Sequence, residues 1–195
     1  MKNTTSAHRS SRLQRGFTLI EILVALAILS VIALLASNAF DGSRSKAQAM
    51  IGLMRQVADA NLQLKTDTGC YVKNPQALFD TAAAALPANN YCSRNFGQTW
   101  SRQYLAQYGV NGVGDLVVDK IAAEVTVGFG TEVMGGKKQY FVHLSNVPKD
   151  IIKQGLIECN GDGLTKGSFS VNRCRTSDLS GDAPGDFDML YDTTR

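Results

Sequence analysis

The chain has 195 residues, enough for one modest domain and an additional element. Its formal net charge of +3 belongs to the first 16 residues, which hold Lys2, Arg9, Arg12 and Arg15 and no acid; the remainder carries 16 basic and 17 acidic side chains, a net of −1. A near-neutral body gives no basis for nucleic acid as a partner, and four cysteines without a C-x-x-C pair, alongside only His8 and His143, exclude zinc-site spacing.

The first predicted element is apolar. From Phe17 to Ala36 run 20 residues with one charge, Glu21, and no Pro or Gly. As a helix the run spans about 30 Å, the thickness of a bilayer core. The cations ahead of it are the kind that stay on the cytoplasmic side. Glu21 is the anomaly, because a carboxylate inside a span costs about 2.5–3.5 kcal/mol. A cut between Gly16 and Phe17 changes that balance. Phe17 gains an ammonium, Glu21 falls one turn into a new helix near the positive end of its dipole, and the two charges can neutralise one another within or between subunits. Gly16, with no Cβ, suits an extended strand held tightly in a protease cleft.

The stretch Arg15-Gly16-Phe17-Thr18-Leu19-Ile20-Glu21 resembles the prepilin leader junction of type IV pilins and type II secretion pseudopilins. The resemblance implies a membrane prepilin peptidase that cuts after Gly16 and methylates Phe17, and makes Glu21 the acid that pairs with a neighbour's N-terminus during assembly. It implies an inner-membrane precursor that polymerises with other pilin subunits into an extracellular pilus or a periplasmic pseudopilus. The competing readings are an uncut anchor and a secretory signal cleaved after Ser37-Asn38-Ala39. A secretory signal has an uncharged apolar region of about 7–15 residues, which the length of this run and Glu21 oppose.

Ser37 to Lys46 are poor helix formers and read as a kink or a weak continuation. Helical spacing returns with Ala47, Met50 or Ile51, Met54, Val57 or Ala58, and Leu62, predicting an amphipathic half-helix to about Thr66 stopped at Gly69. The run through Asn74-Pro75-Gln76-Ala77-Leu78 resembles the segment that follows the stem helix in many pilins. Ala82 to Leu86 predicts a helical turn stopped by Pro87, and Trp100 to Tyr108 a short helix. Strands are predicted at Leu116 to Val118, Glu124 to Phe129, Gln139 to Leu144, Ser168 to Val171 and Phe187 to Tyr191, with a hairpin turn at Gly135-Gly136. Pro148 opens a helix through about Ile157. The expected fold is α+β: a long N-terminal helix, transmembrane then amphipathic, on a small antiparallel β-sheet head with a disulfide-bounded C-terminal region. The expected divisions are a leader at 1–16, a transmembrane and assembly helix at 17–38, the amphipathic half at 39–68 and the head at 69–195.

Four cysteines behind an export signal suggest two disulfides, for which three pairings exist. Cys70 with Cys92 and Cys159 with Cys174 are favoured because each closes a short local loop, for about 3 kcal/mol apiece. The segment between Cys159 and Cys174 is similar to the disulfide-bounded region of pilin heads. The helix before it is similar to the type IVb arrangement, from which Phe17 departs. Asp178, Asp182, Asp186 and Asp188 could bind calcium as turn carboxylates, but their spacing fits no EF-hand loop and a solvated acidic loop is the favoured reading. His143 reads as a strand residue facing water. No nucleophile elbow, phosphate loop or H-E-x-x-H occurs, so neither an enzyme nor a cofactor is expected. The functional readings are a pilus filament subunit for adhesion, motility or DNA uptake, then a type II secretion pseudopilin, then a membrane-tethered DNA-receptor minor pilin.

Overall fold

The computed structural model describes residues 19–39, 42–161, 169, 172–177 and 180–194, with side chains in the first stretch described over 19–30. It divides into two compact units, Met1–Asp41 and Gly42–Arg195. In the first, Leu19–Ala39 forms helix α1. It is apolar around its whole circumference, so no face is set apart for a core of its own. Its side chains are exposed from Leu19 to Ser30, with Leu19 at 78% and Leu29 at 60% of full exposure. The Ser30 hydroxyl donates to the Ala27 carbonyl at 2.8 Å, which satisfies the one polar side chain of its apolar stretch. Among the described residues no helix is long and apolar enough to cross a membrane. The expected span at 17–38 starts outside the described residues, and its side chains beyond residue 30 also lie outside them.

The second unit opens with α2, Gly42–Thr68, which buries Ala47, Met50, Ile51, Met54, Val57, Ala58 and Leu64. The buried stripe follows the helical period up to Ala58, but its last turn uses Asn61 and Leu64 and leaves Leu62 half-exposed. Asn61 is drawn in because its amide satisfies buried backbone: its Oδ1 accepts from the Val72 N–H at 3.1 Å and its Nδ2 donates to the Val72 carbonyl at 3.3 Å. Gly69, at φ 79°, ends the helix and donates to the Lys65 carbonyl at 2.7 Å.

The connection that follows is pinned by short caps. Asn74 caps a 3-10 turn at Pro75–Leu78, and the Asp80 carboxylate accepts from the Ala82 and Ala83 N–H groups to start α3, Thr81–Ala85. The helix expected at Trp100 to Tyr108 is absent; the segment is irregular. Its donors are engaged elsewhere, with the N–H groups of Tyr104 and Leu105 donating to the Leu78 carbonyl and the Trp100 indole donating to the Ala77 carbonyl. Burying Leu105 against that turn wins over local helical bonding.

A five-stranded antiparallel sheet completes the head, in the order β1-β2-β3-β5-β4. The strands are β1 (Leu116–Val117), β2 (Thr126–Met134), β3 (Lys137–Val147), β4 (Cys174–Arg175) and β5 (Gly185–Thr194). β2 and β3 form a hairpin through Gly135 and Gly136, whose φ values of 57° and 75° suit the turn that matches strand twist. Val142, Leu144, Phe187 and Met189 are fully buried on one face, packed with α2 into a single core. The strand expected at Ser168 to Val171 lies outside the described residues except for Phe169, which sits in a turn.

Between β3 and β4 runs α4, Lys149–Asn160, extending past the expected end at Ile157 to a cap at Gly161. It crosses α2 at Gly155, where an added Cβ would stand 2.6 Å from Met50 Cε and 3.1 Å from the Phe187 ring. The end of Met50 can move, whereas Phe187 is locked in the core. Gly155→Leu is therefore expected to lower head stability by about 3 kcal/mol in urea unfolding, with Gly155→Ala costing under about 1 kcal/mol because helix propensity offsets the crowding. Two disulfides staple these elements, Cys70 to Cys92 and Cys159 to Cys174, across separations of 22 and 15 residues. The Asn160 side chain reinforces the second, donating to the Cys174 carbonyl at 2.8 Å and accepting from its N–H at 3.0 Å.

Candidate functional site: the N-terminal segment and the polar clamps of the head

Glu21 stands in the first turn of α1 and is exposed, where the positive end of the helix dipole favours a carboxylate. Gly16 and Phe17, the expected processing pair, lie outside the described residues, as does Asp178. The α1 side chains that are described are a row of large aliphatics with one acid near the start. That chemistry suits packing against other apolar surface.

The head carries two polar clamps that sequence reasoning did not assemble. The first closes the C-terminal end of α2 onto β5. Lys65 Nζ donates to Asp192 Oδ2 and to the Tyr71 hydroxyl, each at 2.9 Å, and the Tyr71 hydroxyl donates to Asp192 Oδ2. Asn61 Nδ2 also donates to the Tyr191 hydroxyl at 3.0 Å. The Tyr71 ring is tilted against Tyr140 and edge-on to Tyr191, at centroid distances of 4.3 and 5.6 Å. Burial, joined by the neighbouring carboxylate, pushes the Tyr71 phenol well above its ordinary range, so it acts as a permanent donor. Burial alone would raise the Asp192 carboxyl, but hydrogen bonds from Tyr71 and Lys65 outweigh it and hold Asp192 below the usual carboxylate range.

The second clamp lies on the face of the sheet turned away from α2. Arg175 donates from Nη1 to both carboxylate oxygens of Glu132 at 2.8 Å and from Nε to Asp188 Oδ2 at 2.9 Å. Its guanidinium also covers the Phe169 ring, 4.0 Å from the centroid. The other oxygen of Asp188 meets His143 Nδ1 at 2.6 Å, and His143 Nε2 stands 3.1 Å from Ser145 Oγ. His143 is thus half-buried and partnered on both ring nitrogens, which corrects its reading as a plain solvent-facing strand residue. The signal available beforehand was alternation: Val142-His143-Leu144 and Phe187-Asp188-Met189 each place a polar residue between two core residues, hence on one outer face.

The tail aspartates separate. Asp188 is buried and committed to His143 and Arg175, Asp186 is half-buried and Asp182 is exposed. Among the described residues no three His, Cys, Asp or Glu side chains gather as a metal site.

The hydrogen bond from Asp188 raises the His143 pKa, against the opposing effect of burial. A raised folded value means that His143 contributes stability below its ordinary pKa of about 6.5, and that this is lost as pH rises through the folded value. The head is therefore expected to melt higher at pH 6 than at pH 8, with that difference reduced in His143→Gln. Proton NMR of the ring is expected to show a midpoint above about 6.5.

Residues 11–37 match the prokaryotic N-terminal methylation motif. The chain therefore carries the signature of prepilin-like proteins, the type IV pilins and pseudopilins. No curated protein and no solved structure matches the chain.

Proposed function

We propose that the protein is a structural subunit of a type IV pilus filament, cut by prepilin peptidase between Gly16 and Phe17, methylated on Phe17, and polymerised through its N-terminal helix. The observation that carries the reading is the methylation motif at 11–37, which takes in most of the apolar helix α1. In this scheme Glu21 neutralises an N-terminal ammonium, and the membrane holds the precursor before assembly. The two disulfides fit an oxidising compartment, which both the extracellular filament and the alternative, a periplasmic pseudopilus of a secretion system, provide. The same motif supports a structural role.

Intact mass and N-terminal sequencing of the protein recovered from its host test this directly. The expected mature chain begins at Phe17 and is heavier by one methyl group. A start after Ala39, or an uncut Met1, overturns the proposal. Sheared surface filaments containing the mature chain favour the pilus; retention in the periplasm of intact cells favours the pseudopilus.

A further inference from the structure

The second clamp contains a line of groups that a structural ion pair does not require. Asp188 Oδ1, His143 Nδ1, His143 Nε2 and Ser145 Oγ follow one another at 2.6 Å and 3.1 Å, with the ring between a buried carboxylate and a hydroxyl. Arg175 fixes the carboxylate from its other oxygen. Asp188 therefore selects the tautomer with the proton on Nδ1, which leaves Nε2 as an acceptor aimed at the serine.

The backbone beyond Ser145 is also constrained. Asn146 and Glu124 both have left-handed conformations, with φ of 61° and 63°, and the Asn146 side chain donates to the Glu124 carbonyl at 3.2 Å. Each such residue costs about 1 kcal/mol or more. Here β3 leaves its register with β5, between Leu144 and Val147, so Ser145 sits where the strand departs from its neighbour. Across β2, the register partner of His143 is Gly128, and the Asp115 carboxylate occupies the space a side chain there would fill, 2.7 Å from an added Cβ. Ser145 and His143 are both partly open to solvent.

We propose that Ser145 is an activated nucleophile, a site at which the head accepts an acyl group from activated carboxylic esters. Its Oγ forms a bond to the acyl carbon while its proton passes to His143 Nε2. The carbon–oxygen bond to the leaving group then breaks, and the alcohol or phenol departs with that electron pair. His143 returns its proton either to the leaving oxygen or to solvent. The product is an ester on Ser145, and no oxidant or metal enters the balance. This is independent of the filament reading, since it concerns only the head.

The test uses the full chain in detergent micelles, with p-nitrophenyl acetate and a fluorophosphonate as probes and peptide mass spectrometry as the readout. Ser145 is expected to be labelled about 100-fold faster than in the His143→Gln chain, in line with general-base assistance. Ser145→Ala should lose the label at that peptide. The rate should rise with pH and level off above the His143 midpoint; the charges facing that ring are Asp188 and Asp186 on β5 and Asp115 before β1, with Arg175 acting through Asp188. Circular dichroism melts of both variants identify a loss due to unfolding. Labelling of Ser145 no faster than other exposed hydroxyls, or equally fast in a folded His143→Gln chain, overturns the proposal and leaves the line as a structural clamp.

Discussion

A precursor carrying Glu21→Ala is expected to be cut and methylated at Phe17 yet to be missing from filaments, with incorporation at least tenfold below the unaltered chain, roughly 1.4 kcal/mol of lost assembly energy. The expectation follows from charge burial. In the proposed filament α1 packs among apolar surfaces, where an unpaired Phe17 ammonium would carry a penalty of about 2.5–3.5 kcal/mol on insertion scales. Glu21, in the first turn, is the acid in the apolar run able to offset it. Glu21→Gln keeps size and polarity while removing charge, so a matching defect in both variants identifies neutralisation as the cause. Measurement is by immunoblot of sheared filaments against cell-bound subunit. Full incorporation of Glu21→Ala removes the assembly role assigned to the residue.

The second large effect concerns Arg175. Its side chain is 15% exposed, bridges Glu132 on β2 and Asp188 on β5, and is itself carried by β4. Arg175→Ala leaves Glu132 without this cation and leaves Asp188 to His143, and is expected to destabilise the head by about 3 kcal/mol. Arg175→Lys should recover only part of this, because an ammonium cannot serve a bidentate partner and a second carboxylate in the same fork geometry. Combining Arg175→Met with Glu132→Leu removes charges of both signs and should cost less than Arg175→Ala alone. Chemical denaturation of the three variants checks the order; equal losses in all three would place the effect in packing over Phe169.

Much of this architecture can be read from residue order. The α2 stripe shows as three- and four-residue steps of Met, Ile and Val, and the β2–β3 turn shows as paired glycines between alternating runs. Pro148 marks the start of α4. What escaped the reading depends on distant partners. Trp100, Tyr104 and Tyr108 have helical spacing, but nothing local reveals that the Leu78 carbonyl accepts two of that segment's N–H groups. Leu62 satisfies the period of α2, yet Asn61 takes the buried place because Val72 presents backbone groups to it. The His143 clamp needs the β3–β5 register, which pairs His143 with Asp188 across 45 positions of chain. The motif at 11–37 is of the opposite kind, being written entirely in contiguous residues.

The closure at Cys159 and Cys174 has an evolutionary consequence. Asn160 and the disulfide fix both ends of that segment against α4 and β4, and between them the buried Phe169 ring packs beneath Arg175. Doubling the length of such a closed segment adds only about 0.6 kcal/mol of closure entropy. Length between the two cysteines can therefore drift at little cost to the fold behind it, as long as Phe169 keeps its place.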